Sequence, residues 1–143
     1  MFRVAAGEAD LLAAYCVRSI VFVGEQACPF AEEFDGLDAG AIHIVGWLDA
    51  EPVAAARIRR VGDWAKLERI ALLPRVRGRG LGHTLVQYML TVARDAGFRR
   101  FKMHAQSHLE SFYRQHGFAP QGPPFQEAGI EHFLMTREDG PAS

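Results

Sequence analysis

Apolar residues recur at helical spacing most clearly between Leu81 and Ala96, where Leu81, Leu85, Met89, Val92, Ala93 and Ala96 fall on one face. Gly97 follows at once and supplies a helix stop. A second helix is predicted from Gly7 to about Val23, on the recurrence of Leu11, Leu12, Tyr15 and Ile20, and a short third from Leu109 to His116, ended by Gly117. Strand patterns cover Phe2 to Ala5, Ile42 to Leu48, Val53 to Val61, Trp64 to Leu73, Arg100 to Ala105 and Glu131 to Arg137. The turns Asp49–Pro52 and Gly62–Asp63 fold the second, third and fourth of these into a meander. Glu25 to Gly40, with Pro29, Gly36 and an acidic cluster, reads as irregular. An early helix, a meander, then strand–helix–strand–helix–strand predicts an α/β fold: a mixed sheet with helices on both faces.

The chain has 143 residues and no repeat or linker, so it reads as one domain over residues 1–137 with a frayed tail over 138–143. Its 49% hydrophobic and 23% charged residues are ordinary for a globular protein. A formal net charge of −1 gives no global pull toward nucleic acid or an anionic membrane. The charges are nevertheless clustered: Glu32, Glu33, Asp35 and Asp38 in one loop, Arg57, Arg59 and Arg60 in one strand, and Arg75, Arg77 and Arg79 in one turn. No signal-peptide pattern and no apolar run of about 20 residues is present, so a cytoplasmic protein without a membrane span is expected. Cys16 and Cys28 are then expected to be reduced thiols, although their spacing alone leaves one disulfide open. His43, His104, His108 and His132 have no recognised zinc spacing, and no metal is expected. A homodimer is left open.

The segment Leu72-Leu73-Pro74-Arg75-Val76-Arg77-Gly78-Arg79-Gly80-Leu81-Gly82 carries the most chemistry. It joins a strand to a glycine-rich, arginine-rich turn and then to the strongest helix. Glycines let backbone N–H groups approach a ligand, and the helix start offers unpaired donors and the positive end of its dipole. A phosphate or pyrophosphate suits such a site, although a solvated basic turn capping a helix has the same composition. A P-loop would need Lys-Ser/Thr where His83-Thr84 stands, and the Gly78-x-Gly80-x-Gly82 spacing is wrong for the dinucleotide fingerprint.

Arg77-x-x-Gly80-x-Gly82 behind a strand ending at Pro74 resembles the coenzyme A signature of the GNAT superfamily of N-acetyltransferases; Arg75-x-x-Gly78-x-Gly80 fits the same frame. Tyr113-x-x-x-Gly117-Phe118 resembles the superfamily's later motif, with Gln106 where an asparagine is usual. Arg18-x-x-Val21-Phe22, Glu25-Gln26, Glu33-Phe34-Asp35-x-x-Asp38, His104-Ala105-Gln106 and Phe125-x-Glu127-x-Gly129-Ile130-x-His132 are similar to the small ElaA-like branch. The resemblance covers most of the chain. It implies a GNAT-like, mostly antiparallel sheet and direct transfer of an acetyl group from acetyl-CoA to an amine in a ternary complex.

Residue by residue, the resemblance implies that Arg75, Arg77, Gly78, Arg79, Gly80, Leu81, Gly82 and His83 hold the coenzyme's pyrophosphate. The strand at Ile70, Ala71 and Leu72 would pair its backbone with the pantetheine arm, and an N–H near Ile70 would face the developing oxyanion. Gln106 and Phe112 complete the cofactor set. Tyr113 is the candidate general acid, against a reading as a packing tyrosine. Glu68, whose strand parity matches Ile70 and Leu72, is a candidate base or an exposed carboxylate. Glu33 and Asp35 would attract a cationic acceptor, or form a solvated loop. His104 borders the acceptor or serves as a core histidine, and a water could relay the proton. Another acyl donor fits the same grip. A non-catalytic coenzyme A sensor is the alternative from a different class. Nucleic-acid binding by the arginine clusters is disfavoured by the net charge.

Overall fold

The computed structural model describes residues 1–140. Seven strands form one sheet: β1 (Phe2–Val4), β2 (Ile42–Leu48), β3 (Glu51–Val61), β4 (Trp64–Leu72), β5 (Arg100–Gln106), β6 (Ala119–Glu127) and β7 (Ile130–Glu138). Their spatial order is β1-β2-β3-β4-β5-β7-β6. Every neighbouring pair is antiparallel except β4 and β5. The parallel pair requires a crossover, which α3 (Leu81–Asp95) supplies. The predicted mixed, mostly antiparallel α/β architecture is therefore the observed one.

Alternation along the strands divides the core. Ile44, Ala54, Ala56, Ile58, Leu67, Phe101 and Met103 pack on the side of α3, where Leu85, Val86, Met89, Leu90 and Ala93 are buried. Val45, Ala55 and Ala71 point the other way, against Ala13, Ala14 and Val17 of α1 (Gly7–Arg18). Ala96, placed on the buried face by its spacing, is exposed because the helix has already reached its cap there. Tyr113 of α4 (Glu110–Arg114) joins the α3-side core.

Three segments depart from the sequence reading. The first predicted helix is α-helical only to Arg18; Ser19–Glu25 continue it as a π-helix. Within the irregular loop, Phe30–Glu33 form a short α2. Strand β6 has no strand-like pattern, because it contains Pro120, Gly122, Pro123 and Pro124. It survives as an edge strand, where a missing N–H is tolerated, with a register shift between Gln121 and Phe125. At the C-terminus, Glu138 still pairs with Arg100 in β7, and Asp139 accepts bonds from Arg94 Nε and Arg137 Nε. Residues 141–143 of the expected tail lie outside the described residues.

β2 packs tightly at Gly46. A Cβ there would lie 2.8 Å from both Ala54 Cβ and Phe2 Cε1. Neither neighbour is the loose end of a flexible chain, so Gly46→Ala is expected to destabilise the protein by about 1–3 kcal/mol, read as a lower thermal midpoint.

Candidate active site

β4 and β5 are paired only from Trp64 to Lys66 and from Arg100 to Lys102. Beyond that they part, and backbone groups of the rest of β4 that point toward β5 find no strand partner there. A cavity of about 570 Å3 opens at the parting, lined by Glu68 and Ile70 from β4, His104 and Gln106 from β5, and Tyr113 from α4. Glu33 and Asp35 line it as well. The glycine turn follows directly after the strand that forms one wall.

A bulge in β4 shapes that wall. Ala55 pairs with Ala71 but Arg57 with Glu68, so β4 carries one extra residue, and Arg69 sits there at φ +56°. The extra residue reverses the expected parity. Ile70 and Leu72 pack on the α3 side, whereas Glu68 shares the α1 side with Ala71 and with Arg57 of β3. Ala71 is buried against α1, so it can meet a ligand only through its main chain.

The three acidic site candidates join an ion-pair network around two buried arginines. Arg57, with a fully buried side chain, donates to Asp35 (3.0 Å), Asp38 (2.9 Å) and Glu68 (3.1 Å). Arg18, equally buried, binds Glu33 and Asp38, each at 2.7 Å. Arg69 reaches Glu33 at 2.9 Å and Asp35 at 3.2 Å. The Arg57 guanidinium holds the Asp35 carboxyl well below the usual range. Burial pushes the Glu33 carboxyl up, against the pull of Arg18 and Arg69. Glu33 and Asp35, expected to attract a cationic acceptor, thus line the cavity already paired with arginines. Glu68 is paired in the same network. Burial alone would raise its carboxyl, but Arg59 (2.6 Å), Arg57 and Lys66 (3.2 Å) outweigh burial and hold it low, which makes it a weak base.

His104 lies on the α1 side of β5, since Phe101, Met103 and Ala105 face α3. Its Nδ1 is 3.0 Å from Glu127 Oε1, and His132 Nε2 is 3.7 Å from Glu127 Oε2. The imidazole of His104 holds the Glu127 carboxyl low. Glu127 was not singled out as a functional residue in the sequence, because it ends the proline-broken β6. Tyr113 approaches from the opposite side. It is 6% exposed, and burial pushes its phenol up to about 12. Among the described residues its hydroxyl has no hydrogen-bond partner. Cys28 also lines the cavity, and burial, with Glu33 and Glu32 nearby, pushes its thiol up. Cys16 and Cys28 are both free.

At the turn, Gly78 and Gly80 both have φ +77°, with open space around the position of a Cβ. The first backbone N–H of the helical start to reach a carbonyl is that of Thr84, on Gly80, and no side chain caps α3. The N–H groups of Leu81, Gly82 and His83 remain for an anion. Gly82 lets Phe112 close in, since a Cβ would be 3.3 Å from its Cζ; Phe112 thus packs beneath the turn. Arg77 differs from its expected role. Its guanidinium binds Glu25 at 2.9 and 2.7 Å and the Leu72 carbonyl at 3.0 Å, leaving exposed Arg75 and Arg79 as the charges of the turn. Gln106 Nε2 donates to Gln26 Oε1 at 3.1 Å, so Glu25 and Gln26 together bridge the turn and β5.

A splayed parallel pair leading into a glycine turn at a helix start defines an acyltransferase architecture, and the comparisons agree. Residues 21–138 match the acetyltransferase (GNAT) domain, and the chain belongs to the GNAT family of N-acetyltransferases. It is 36% identical over 136 residues to the uncharacterized N-acetyltransferase YjcF of Bacillus subtilis, covering 94% of this chain and 97% of that one. Protein ElaA of Escherichia coli is 34% identical over 134 residues, covering 90% and 88%. The crystal structure of E. coli ElaA matches with a TM-score of 0.87 at 30% identity, over 96% of this chain and 99% of that one. An acyl-CoA N-acyltransferase from Pseudomonas aeruginosa matches with a TM-score of 0.88 at 28% identity, also over 96% and 99%. No described helix is long and apolar enough to cross a membrane.

Arg57→Met would leave Asp35, Asp38 and Glu68 without their shared cation. It is expected to cost about 3–5 kcal/mol in urea-unfolding stability. Asp35, Asp38 and Glu68 all have lowered folded-state values, so their stabilisation is present above about pH 4 and is lost as the pH falls further. The wild-type unfolding midpoint should therefore drop steeply on acidification, and less steeply in Arg57→Met.

Proposed function

We propose that this protein transfers an acetyl group from acetyl-CoA directly to a primary amine of a small molecule or protein. The observation that carries the reading is the unpaired length of β4, which runs from a cleft holding Tyr113 and His104 directly into the glycine turn. The donor grip fits the residues present: free N–H groups at the α3 start, open space over Gly78 and Gly80, and two exposed arginines. The unpaired β4 backbone suits the amides of a pantetheine arm. Bound acetyl-CoA would supply the activated acetyl thioester.

The acid and base come from opposite faces of the sheet. Tyr113, on the α3 side, stays a phenol at neutral pH and is available to protonate a departing thiolate. On the α1 side, His104 with Glu127 behind it is the group suited to take the amine proton, in place of Glu68. A carboxylate on Nδ1 orients the ring and leaves Nε2 as the acceptor. Backbone N–H groups at the β4 bulge near Ile70 suit the oxyanion. Cys28, the cavity's cysteine, is held as a thiol and is a poor nucleophile, which favours direct transfer over an acyl-enzyme.

Thiol release from acetyl-CoA over a panel of polyamines, aminoglycosides, amino acids and peptides tests the reading. Coenzyme A binding without turnover would favour a sensor; no coenzyme A binding would sink both. With an active acceptor, Tyr113→Phe and His104→Gln should each lower kcat about 100-fold while leaving coenzyme A affinity nearly intact. Because the Tyr113 phenol lies at about 12, it should impose no fall in rate on the alkaline side below about pH 10.

A further inference from the structure

Three side chains behind the glycine turn form a hydrogen-bonded chain that the transfer chemistry does not use. Gln87 Nε2 lies 2.7 Å from His116 Nδ1, and His116 Nε2 lies 2.9 Å from His83 Nδ1. His116 is 5% exposed. His83 is exposed, occupies the first turn of α3, and its ring lies 4.5 Å from that of Phe112. Among the described residues nothing binds its remaining nitrogen, Nε2.

With the Gln87 amide nitrogen facing His116, the first link sets the order of donors. An amide nitrogen only donates, so His116 Nδ1 accepts and its proton sits on Nε2. That proton is donated to His83 Nδ1, which leaves the proton of a neutral His83 on Nε2. The opposite amide orientation would reverse every bond and present a bare lone pair at Nε2, which repels an anion. We propose that Gln87 and His116 are positioning residues that lock His83 as its Nε2–H tautomer, so that it donates a neutral hydrogen bond to the coenzyme's pyrophosphate. This rests on the coenzyme A reading of the turn.

His116 stays in its neutral form within the chain: burial, then His83 and Arg137, push its value down. The groups facing the pair are few. Phe112 from α4 and Gln87 from α3 are uncharged, Arg137 from β7 donates to the His116 carbonyl at 2.7 Å, and Arg79 precedes His83 on the turn.

Dephospho-coenzyme A is the suitable probe, because its pyrophosphate does not titrate between about pH 6 and 8 while it lacks the phosphate that does. Calorimetric titration at neutral pH supplies the wild-type Kd as the reference. His83→Ala should weaken binding roughly tenfold, as expected for loss of a hydrogen bond to a charged group. Gln87→Leu releases the lock. Its affinity should fall several-fold, to between the wild type and His83→Ala. Pantetheine, which has no phosphate, should bind all three proteins alike. Long-range nitrogen–proton NMR should show wild-type His83 protonated at Nε2. Wild-type binding that His83→Ala leaves unchanged, or His83 protonated at Nδ1, would overturn this inference alone. A wild-type protein that binds no dephospho-coenzyme A would overturn the underlying reading with it.

Discussion

Arg57 is a guanidinium buried in a central strand, and much of the molecule's α1 side is arranged around it. A guanidinium cannot shed its proton, so its burial is tolerated only with carboxylates in reach. β4 supplies Glu68 from the neighbouring register position, and the loop after α2 supplies Asp35 and Asp38. Arg18 at the end of α1 shares Asp38 and adds Glu33. Phe34 packs edge-on against Tyr15 of α1, and with it these ion pairs fasten the loop over the sheet. In doing so they build one rim of the cavity.

The other constraint is local to β4. A single extra residue at Arg69 turns Glu68 toward the network and Ile70 toward the α3 core. Together with the short β4–β5 pairing, this opens the sheet without breaking either strand. A ligand arm lying in the opening is accessible from both faces. That explains how Tyr113, from the α3 side, and His104, from the α1 side, line one cavity although the sheet separates their supporting elements.

The elements with clean periodicity were legible from residues alone. The α3 stripe and the β2–β4 meander follow from burial of one face, which composition records directly. β6 was not legible, because prolines and a glycine erase strand patterning at a sheet edge where patterning is not required. The glycine turn and Tyr113 could be found because special backbone geometry and a fixed spacing leave marks in a sequence. The roles of Glu33, Asp35 and Glu68 could not. Their charges are visible in the chain, but the arginines that consume them are 9 to 36 positions away along it. The bulge at Arg69 is carried by an arginine rather than a glycine, so nothing in the pattern warned that the parity of Glu68 would reverse.

The same distance in sequence changes the meaning of the arginine-rich turn. Three arginines beside glycines suggest that side-chain charge grips the phosphate. Arg77 is instead drawn back to Glu25, tying the turn to the π-helical end of α1, while Gln26 reaches across to Gln106. What faces the open side of the turn is mainly backbone: N–H groups oriented by the helix and exposed because Gly78 and Gly80 carry no side chains. Such donors are fixed by the fold and do not titrate. His83, hydrogen-bonded to His116 and through it to Gln87, adds one imidazole beside these donors. This end of the cleft therefore offers directed hydrogen-bond donors from a rigid turn more than net charge, in keeping with a chain whose formal charge is only −1.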